Sequence, residues 1–329
     1  MTPIPTSIVI EMFGDTHEIG SPNLVFDTPE KREFASKLPV WKRQLVIKHL
    51  RVPYHTYNRG LAMIGTLHRP VEGGLPNLGV VGGLLGESRC GKTIVCEAYA
   101  ERYPARDGEL GREFPVVYMD ASIGMSRTRA GHKIQRATEA RHRILAREDP
   151  SEWSVDRILK CKSELLIVDD SHFMFFNQRS SQTAVEMFGF VKDVVDTGRV
   201  SVMLVGDASI DEYVHGIDAF RNREYRSETL EPLTNSAADL ELFGDLLKSI
   251  DRRLPFRGPS HLDRYRDHFH LYSSGHIGLV MNILHDAGYF ALNDHASCIM
   301  IEHLRAAVRT RIAPGDDNDY FGYKSAKRK

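Results

Sequence analysis

Two stretches of this chain place residues at spacings that suit phosphate and metal chemistry. The first, Gly86-Glu87-Ser88-Arg89-Cys90-Gly91-Lys92-Thr93, has the form G-x-x-x-x-G-K-[ST]. Glycines at such a turn let successive backbone N–H groups face an anion, and a following helix start adds its positive dipole end. In that arrangement Lys92 reaches the β- and γ-phosphates of a nucleotide and the Thr93 hydroxyl ligates Mg²⁺. The second stretch, Leu165-Leu166-Ile167-Val168-Asp169-Asp170, is four apolar residues ending in two acids. Asp169 suits the Mg²⁺ shell, and Asp170 suits the orientation or deprotonation of an attacking water. Many phosphate-loop ATPases carry Glu at the second acid. Asp is one methylene shorter, so its carboxylate sits roughly 1.5 Å further from a water placed for Glu. Slow hydrolysis with intact ATP binding is the expectation.

Other charged residues extend the list. Asp207, after the apolar run Val200 to Gly206, is placed to sense a γ-phosphate, with Ser209 nearby as the alternate. Phe220-Arg221-Asn222-Arg223-Glu224-Tyr225-Arg226 offers three arginines in one short segment. An arginine delivered to a neighbour's γ-phosphate stabilises transition-state charge. Arg223 is the preferred finger and Arg221 the second choice, a solvated basic helix end being the plain alternative. Arg127, Arg129, Lys133, Arg136, Arg141, Arg143 and Arg147 form the most one-sided basic run, with Glu139 the acid among them. Such a run suits a DNA backbone without base stacking, because no aromatic residue is interleaved. Arg127, Arg129 and Lys133, in the loop and first turn after a strand, are the candidate DNA contacts. The same residues also suit a solvated helix face. The 15 histidines show no H-E-x-x-H and no zinc-ligand spacing. Of these, His276 in Gly275-His276-Ile277-Gly278 opens a helix and could present its end to nucleotide.

These groups need elements to hold them. Leu78 to Leu85 reads as a buried strand feeding the glycine loop, and Thr93 to Tyr103 as the helix after it, stopped by Pro104. Phe114–Asp120, Glu164–Asp170 and Val200–Gly206 read as further strands, with helices over Arg127–Arg147 and Thr183–Val195. Near-continuous apolar strands alternating with helices imply an α/β fold, a parallel sheet covered on both faces. Ligands then gather at the strands' carboxyl ends, where the glycine loop, Asp169, Asp170 and Asp207 all fall. Before the sheet, Pro39 to Leu67 shows two short helices around Pro53. After Leu233 the pattern is helical at Ala237–Ile250, Ser260–Tyr272, Ile277–Leu292 and Ala296–Arg311. The expected organisation is an arm with short helices (1–75), a phosphate-loop domain (76–232), an all-helical lid (233–312) and a flexible acidic-then-basic tail (313–329).

Bulk properties exclude several classes. With Lys+Arg 43 against Asp+Glu 44, the formal charge is −1, so any basic surface must be local. Four cysteines without C-x-x-C pairing suit a reducing compartment and argue against structural zinc. The N-terminus lacks a signal-peptide pattern, and no apolar run approaches the ~20 residues of a membrane span. No N-K-x-D points to guanine and no L-S-G-G-Q to a transporter. The expectation is a cytoplasmic protein with no membrane partner.

The order of helical arm, phosphate loop, V-D-D-S-H, V-G-D-A-S, arginine cluster and all-helical lid resembles an AAA+ ATPase. Leu254-Pro255-Phe256-Arg257-Gly258-Pro259-Ser260-His261-Leu262, the run Ser273 to Gly278, and His172 beyond the acid pair are similar to the TniB/TnsC transposition ATPases. The resemblance covers residues 38 to 310. It implies a bacterial protein that binds ATP and Mg²⁺ and assembles as a homo-oligomeric ring or helical filament on duplex DNA. It also implies a link between a TniQ-type target selector and a DDE transposase. Carried over, Gly86 to Thr93 binds phosphates, Asp169 serves Mg²⁺, Asp170 stands where the family has Glu, and Arg223 falls near the finger. There the usual R-F reads Arg223-Glu224. Two other readings stay open: a helicase-loader or initiator ATPase, and an ATP-locked scaffold with little hydrolysis.

Overall fold

A computed structural model describes residues 24–140, 150–175, 181–216 and 225–323. The chain divides into two compact units, His55–Glu231 and a second built from residues before His55 together with those from Pro232 onward. The boundaries fall at 54/55 and 231/232. The expected 1–75 segment is therefore split, and its first helices belong with the C-terminal ones. Those helices are α1 (Pro29–Lys37), started by a Thr28 cap and a proline in its first turn, and α2 (Val40–Lys48).

In the first unit, α3 (His55–His68) leads to β1 (Val81–Leu85), the glycine loop and α4 (Lys92–Ala100). A small antiparallel hairpin of β2 (Arg106–Gly108) and β3 (Gly111–Glu113) follows, not anticipated because its three-residue strands are polar. Next come β4 (Val116–Asp120), α5 (Arg127–Ala137), α6 (Pro150–Lys160), β5 (Leu165–Asp169), α7 (His172–Phe175), α8 (Ser181–Asp196), β6 (Ser201–Gly206), α9 (Ser209–His215) and β7 (Arg226–Thr229).

The main sheet has five parallel strands in the order β4-β5-β6-β1-β7. Every residue of β1, β5 and β6 is buried, which is why these strands read as unbroken apolar runs. β7 is the edge strand. Its sequence Arg-Ser-Glu-Thr is exposed at three of four positions, so no hydrophobic pattern marked it. The chain leaves β1, reaches β4, and returns through β5 and β6 to lie beside β1 again. That reversal opens a crevice at the carboxyl ends of β1 and β6, where ligands bind in sheets of this class. Gly82 lets Leu67 of α3 close on β1: a Cβ at Gly82 would lie 2.9 Å from Leu67 Cδ2.

The second unit holds α10 (Ala237–Asp251), a 3-10 turn at Leu262–Tyr265, α11 (Arg266–Ser273), α12 (Ile277–Asn293) and α13 (Ile301–Arg309). The second expected helix, Ser260–Tyr272, splits at Arg266, and the fourth starts at Ile301 rather than Ala296. α2 packs on α12, where a Cβ at Gly288 would lie 3.1 Å from Ile47 Cδ1. Arg32 of α1 is buried and donates to Gly258 O at 3.1 Å and Asp251 O at 3.2 Å. The Asp251 carboxylate in turn accepts from Ser260 N at 2.9 Å and His261 N at 2.8 Å. This explains the Leu254–Leu262 motif, since its loop is tied to a buried acid on α10.

The expected flexible tail is ordered as far as Tyr323 among the described residues. Tyr320 and Phe321 are buried; Phe321 meets Phe269 edge-on at 4.9 Å between ring centres. Arg305 Nε donates to Phe321 O at 2.8 Å and Phe321 N donates to His268 Nδ1 at 3.2 Å. Two aromatics in an otherwise acidic run outweigh its polar composition, because their burial recovers the entropy lost on ordering. Residues 324–329 lie outside the described residues. Phe321→Ala is expected to lower the stability of the helical unit by about 3–5 kcal/mol, the usual cost of emptying a buried phenylalanine site. Urea unfolding of the full chain, followed by hydrogen exchange in α11 and α13, checks this.

Candidate nucleotide site

The glycine loop leaves β1 at Gly86, whose φ is +145°, a value glycine adopts freely. Glycine is also needed for space, since a Cβ there would run into Leu230 O, which follows β7. Leu230 N donates to Leu85 O at 2.8 Å, so the edge strand fixes the point at which the loop departs. Gly91, at φ 93°, turns the chain into α4, and Arg89 takes a left-handed conformation at φ 72°. Cys90 is buried in the loop, and burial pushes its thiol up, away from a reactive thiolate.

Lys92 Nζ folds back onto the loop and donates to Gly86 O and Glu87 O, both at 2.7 Å. Burial lowers the Lys92 pKa, opposed by Cys90 and by the carboxylates of Asp169, Asp170 and Asp207. The ammonium is thus placed among the residues read as the phosphate and metal site.

The Asp169 carboxylate is the meeting point. Thr93 Oγ1 donates to its Oδ2 at 2.7 Å, the Tyr118 hydroxyl to the same oxygen at 3.0 Å, and Asp170 N to Oδ1 at 2.8 Å. Burial, then the Asp169 charge, raises the Tyr118 pKa, which keeps the phenol a donor. A hydroxyl and a carboxylate converging from α4 and β5 are hard oxygen donors, the type Mg²⁺ takes. Among the described residues no group of three His, Cys, Asp or Glu could hold an ion alone. The set therefore fits Mg²⁺ only if phosphate oxygens and water complete the shell, as in nucleotide sites. Thr93 and Asp169 would hold the ion, which supplies charge neutralisation to the phosphates.

Asp170 is left-handed at φ 52° and exposed as a whole residue, while its carboxyl is partly desolvated. Burial of its carboxyl and the neighbouring Asp169 charge raise its pKa, with His172 and Lys92 pulling the other way. The turn that carries it is anchored to β6: Ser171 N and Oγ both donate to Val205 O, at 2.8 and 3.1 Å. Asp207 stands beyond the carboxyl end of β6, beside β1. Its Oδ1 accepts from Ser209 N at 3.0 Å and also from the Ser209 hydroxyl, so the carboxylate holds the turn that leads into α9.

The candidate DNA contacts lie on α5 and already have partners. Arg127 Nε donates to Glu186 O at 3.1 Å, and its Nη1 lies 3.4 Å from Asp193 Oδ2. Lys133 Nζ pairs with Asp120 Oδ2 at 2.6 Å, whereas Arg129, exposed, braces the preceding loop at Ile123 O and Gly124 O. Arg221 and Arg223, together with Arg141, Arg143 and Arg147, lie outside the described residues. Sequence reasoning missed Tyr118 and Asp120. Strand register would have found both, since Asp120 pairs with Asp169 across β4 and β5.

Residues 51–233 match the family described as Bacterial TniB protein, more than half of the chain. The chain belongs to the TniB family. No curated protein matches it. Among solved structures, Cdc6p from Pyrobaculum aerophilum gives a TM-score of 0.50 at 17% identity, covering 91% of this chain and 72% of that one. The ADP form of the Aeropyrum pernix ORC2 protein gives 0.55 at 16% identity, with coverage of 80% and 68%. The Aeropyrum pernix ORC1 protein in complex with DNA gives 0.54 at 16% identity, with coverage of 79% and 66%. At these identities the likeness is one of fold, and the fold is that of AAA+ ATPases. Among the described residues no helix of this TniB-family chain is long and apolar enough to cross a membrane.

Removing the Thr93 hydroxyl tests the metal assignment. Thr93→Ala is expected to weaken ATP binding about 10–100-fold when Mg²⁺ is present and to leave metal-free binding nearly unchanged. Titration calorimetry with Mg²⁺ and with EDTA separates the two.

Proposed function

We propose that this TniB-family protein is an ATP-dependent, DNA-binding regulator of transposition. It binds ATP with Mg²⁺, oligomerises on duplex DNA as a ring or helical filament, and links a TniQ-type target selector to a DDE transposase in the bacterial cytoplasm. The convergence of Thr93 and Asp169, beneath a loop that places Lys92, is the observation that carries the nucleotide part of this reading. Family membership supports the transposition part. The arginine completing each site comes from the adjacent protomer, Arg223 first and Arg221 second. Arg129, exposed at the start of α5, is the foremost DNA-backbone contact, with Arg127 and Lys133 beside it.

The protein is a slow ATPase in which Asp170 is the hydrolytic carboxylate. Its short side chain weakens it as a base, because the carboxylate falls short of a water placed for Glu. Nucleotide then acts chiefly as an assembly switch, and hydrolysis releases the oligomer from DNA.

Electron microscopy with duplex DNA and a non-hydrolysable ATP analogue tests the reading directly. Rings or filaments are expected with analogue and DNA together; monomers under all conditions would overturn it. Asp170→Glu is expected to raise single-turnover hydrolysis about tenfold or more, because it restores the missing methylene. A carboxylate base works only when deprotonated, and this pKa lies above the ordinary 3.8. Hydrolysis should therefore fall on acidification at a higher pH than a solvated aspartate would give, as a pH–rate profile of the wild-type chain will show.

A further inference from the structure

His172 is one residue past the Ser171 anchor and two past Asp170, at the first position of α7. Its Nδ1 is buried and has no hydrogen-bond partner among the described residues. The ring lies against the end of β6: a Cβ at Gly206 would be 2.6 Å from Ile210 Cδ1, 2.8 Å from His172 Nδ1 and 3.3 Å from His172 N. That contact closes on the residue immediately before Asp207. On its other side the ring meets Phe173, with 4.1 Å between ring centres.

A packing role alone does not call for imidazole here. An unpaired buried ring nitrogen costs free energy that an apolar side chain of similar size would avoid. His172 instead follows the candidate hydrolytic acid Asp170 by two residues, and its nitrogen lies against Gly206, the residue before the γ-phosphate-sensing candidate Asp207. The backbone joining them is short and already fixed, because Ser171 donates twice to Val205 O. A shift at the Gly206–Asp207 end of β6 therefore presses on the His172 ring as well as on Ile210, and Ser171 ties the His172 turn to Asp170.

We propose that His172 is a positioning residue for ATP hydrolysis, whose Nδ1 and ring contact with Gly206 couple the Asp207 end of β6 to the carboxylate of Asp170. The inference rests on the ATPase reading above and adds to it a route between the γ-phosphate-sensing position and the hydrolytic acid. Nucleotide affinity is set at the glycine loop and at Asp169, so it should not depend on His172.

The test uses the full-length chain carrying His172→Ala, His172→Phe, Gly206→Ala or the Gly206→Ala/His172→Ala pair. His172→Ala and His172→Phe are each expected to lower kcat by about 10–100-fold, the scale of a small misplacement of a reacting group. Nucleotide Kd should stay within about twofold, the pattern of an interaction made only on the way to the transition state. Gly206→Ala should lower kcat similarly, because its methyl strikes the ring as well as Ile210. The double variant should be less impaired than the product of the two single effects, since residues in contact are non-additive. A His172→Phe rate within about twofold of wild type would overturn the proposal, as would effects that multiply in the double variant. Thermal midpoints accompany each rate. If His172→Ala does not fold, His172→Phe and His172→Asn, which keep more of the side-chain volume, decide the matter, with His172→Asn expected to retain more activity than His172→Phe. A wild-type chain that turns over no faster than Lys92→Ala would remove the ATPase reading itself. A wild-type ATPase indifferent to His172 removes only this inference.

Discussion

The carboxylate of Asp169 is the constraint on which the site depends. It is buried at the end of a strand with no solvent to screen it, so its charge has to be met by protein donors or a cation. Three donors meet it, from α4, from β4 and from the next backbone amide. Each fixes a different part of the unit: Thr93 the start of the helix after the glycine loop, Tyr118 the neighbouring strand, and Asp170 N the turn after β5. A divalent ion at Thr93 and Asp169 would act on a group that already organises all three. An ion held there would be linked to the placement of Asp170 for that reason.

The sheet topology explains why these residues meet at all. Leu85 and Gly206 are register partners, so the glycine loop and Asp207 leave the sheet side by side. Asp120 and Asp169 are partners as well, which brings three acids to adjacent strand ends with Lys133 on the outermost. Partial burial, then the Asp169 charge and more weakly that of Asp120, raises the Asp170 pKa. The basic helix and the acid cluster are thus neighbours within one unit. The local charge of α5 is partly spent on Asp120 and Asp193 before any phosphate arrives.

The helical unit is held by a different kind of interaction. Its core is apolar and aromatic, but two polar ties set its loops: Asp251 accepts backbone amides of the Pro-Ser-His loop, and Arg32 donates to carbonyls of the same region. Buried ionic groups survive there because nearly every hydrogen bond is made. Gly275, at φ +80°, lies so close to the backbone of Leu233 that any side chain would collide. That glycine and the Asp251 loop account for the two motifs that set this chain apart from phosphate-loop proteins in general.

The sequence by itself determined the chemistry: the phosphate loop, the acid pair, the buried parallel strands and the helical character of the C-terminal part. Those signals are local, carried by glycine at positive φ and by apolar runs that only a doubly covered sheet explains. The bounds of β5, β6 and α12 were legible to within one or two residues for that reason. Tertiary structure decided what depends on distant partners. β7 exists because Arg226 to Thr229 finds the free edge of β1, not because those residues favour a strand. The ordered tail exists because Phe321 finds Phe269, fifty-two residues earlier in the chain. Helices α1 and α2 joined the C-terminal helices through Arg32 and Ile47, contacts that no local pattern encodes. The placement of Tyr118 and His172 also came from packing, since only strand register and a missing Cβ bring a phenol onto Asp169 and an imidazole onto Gly206.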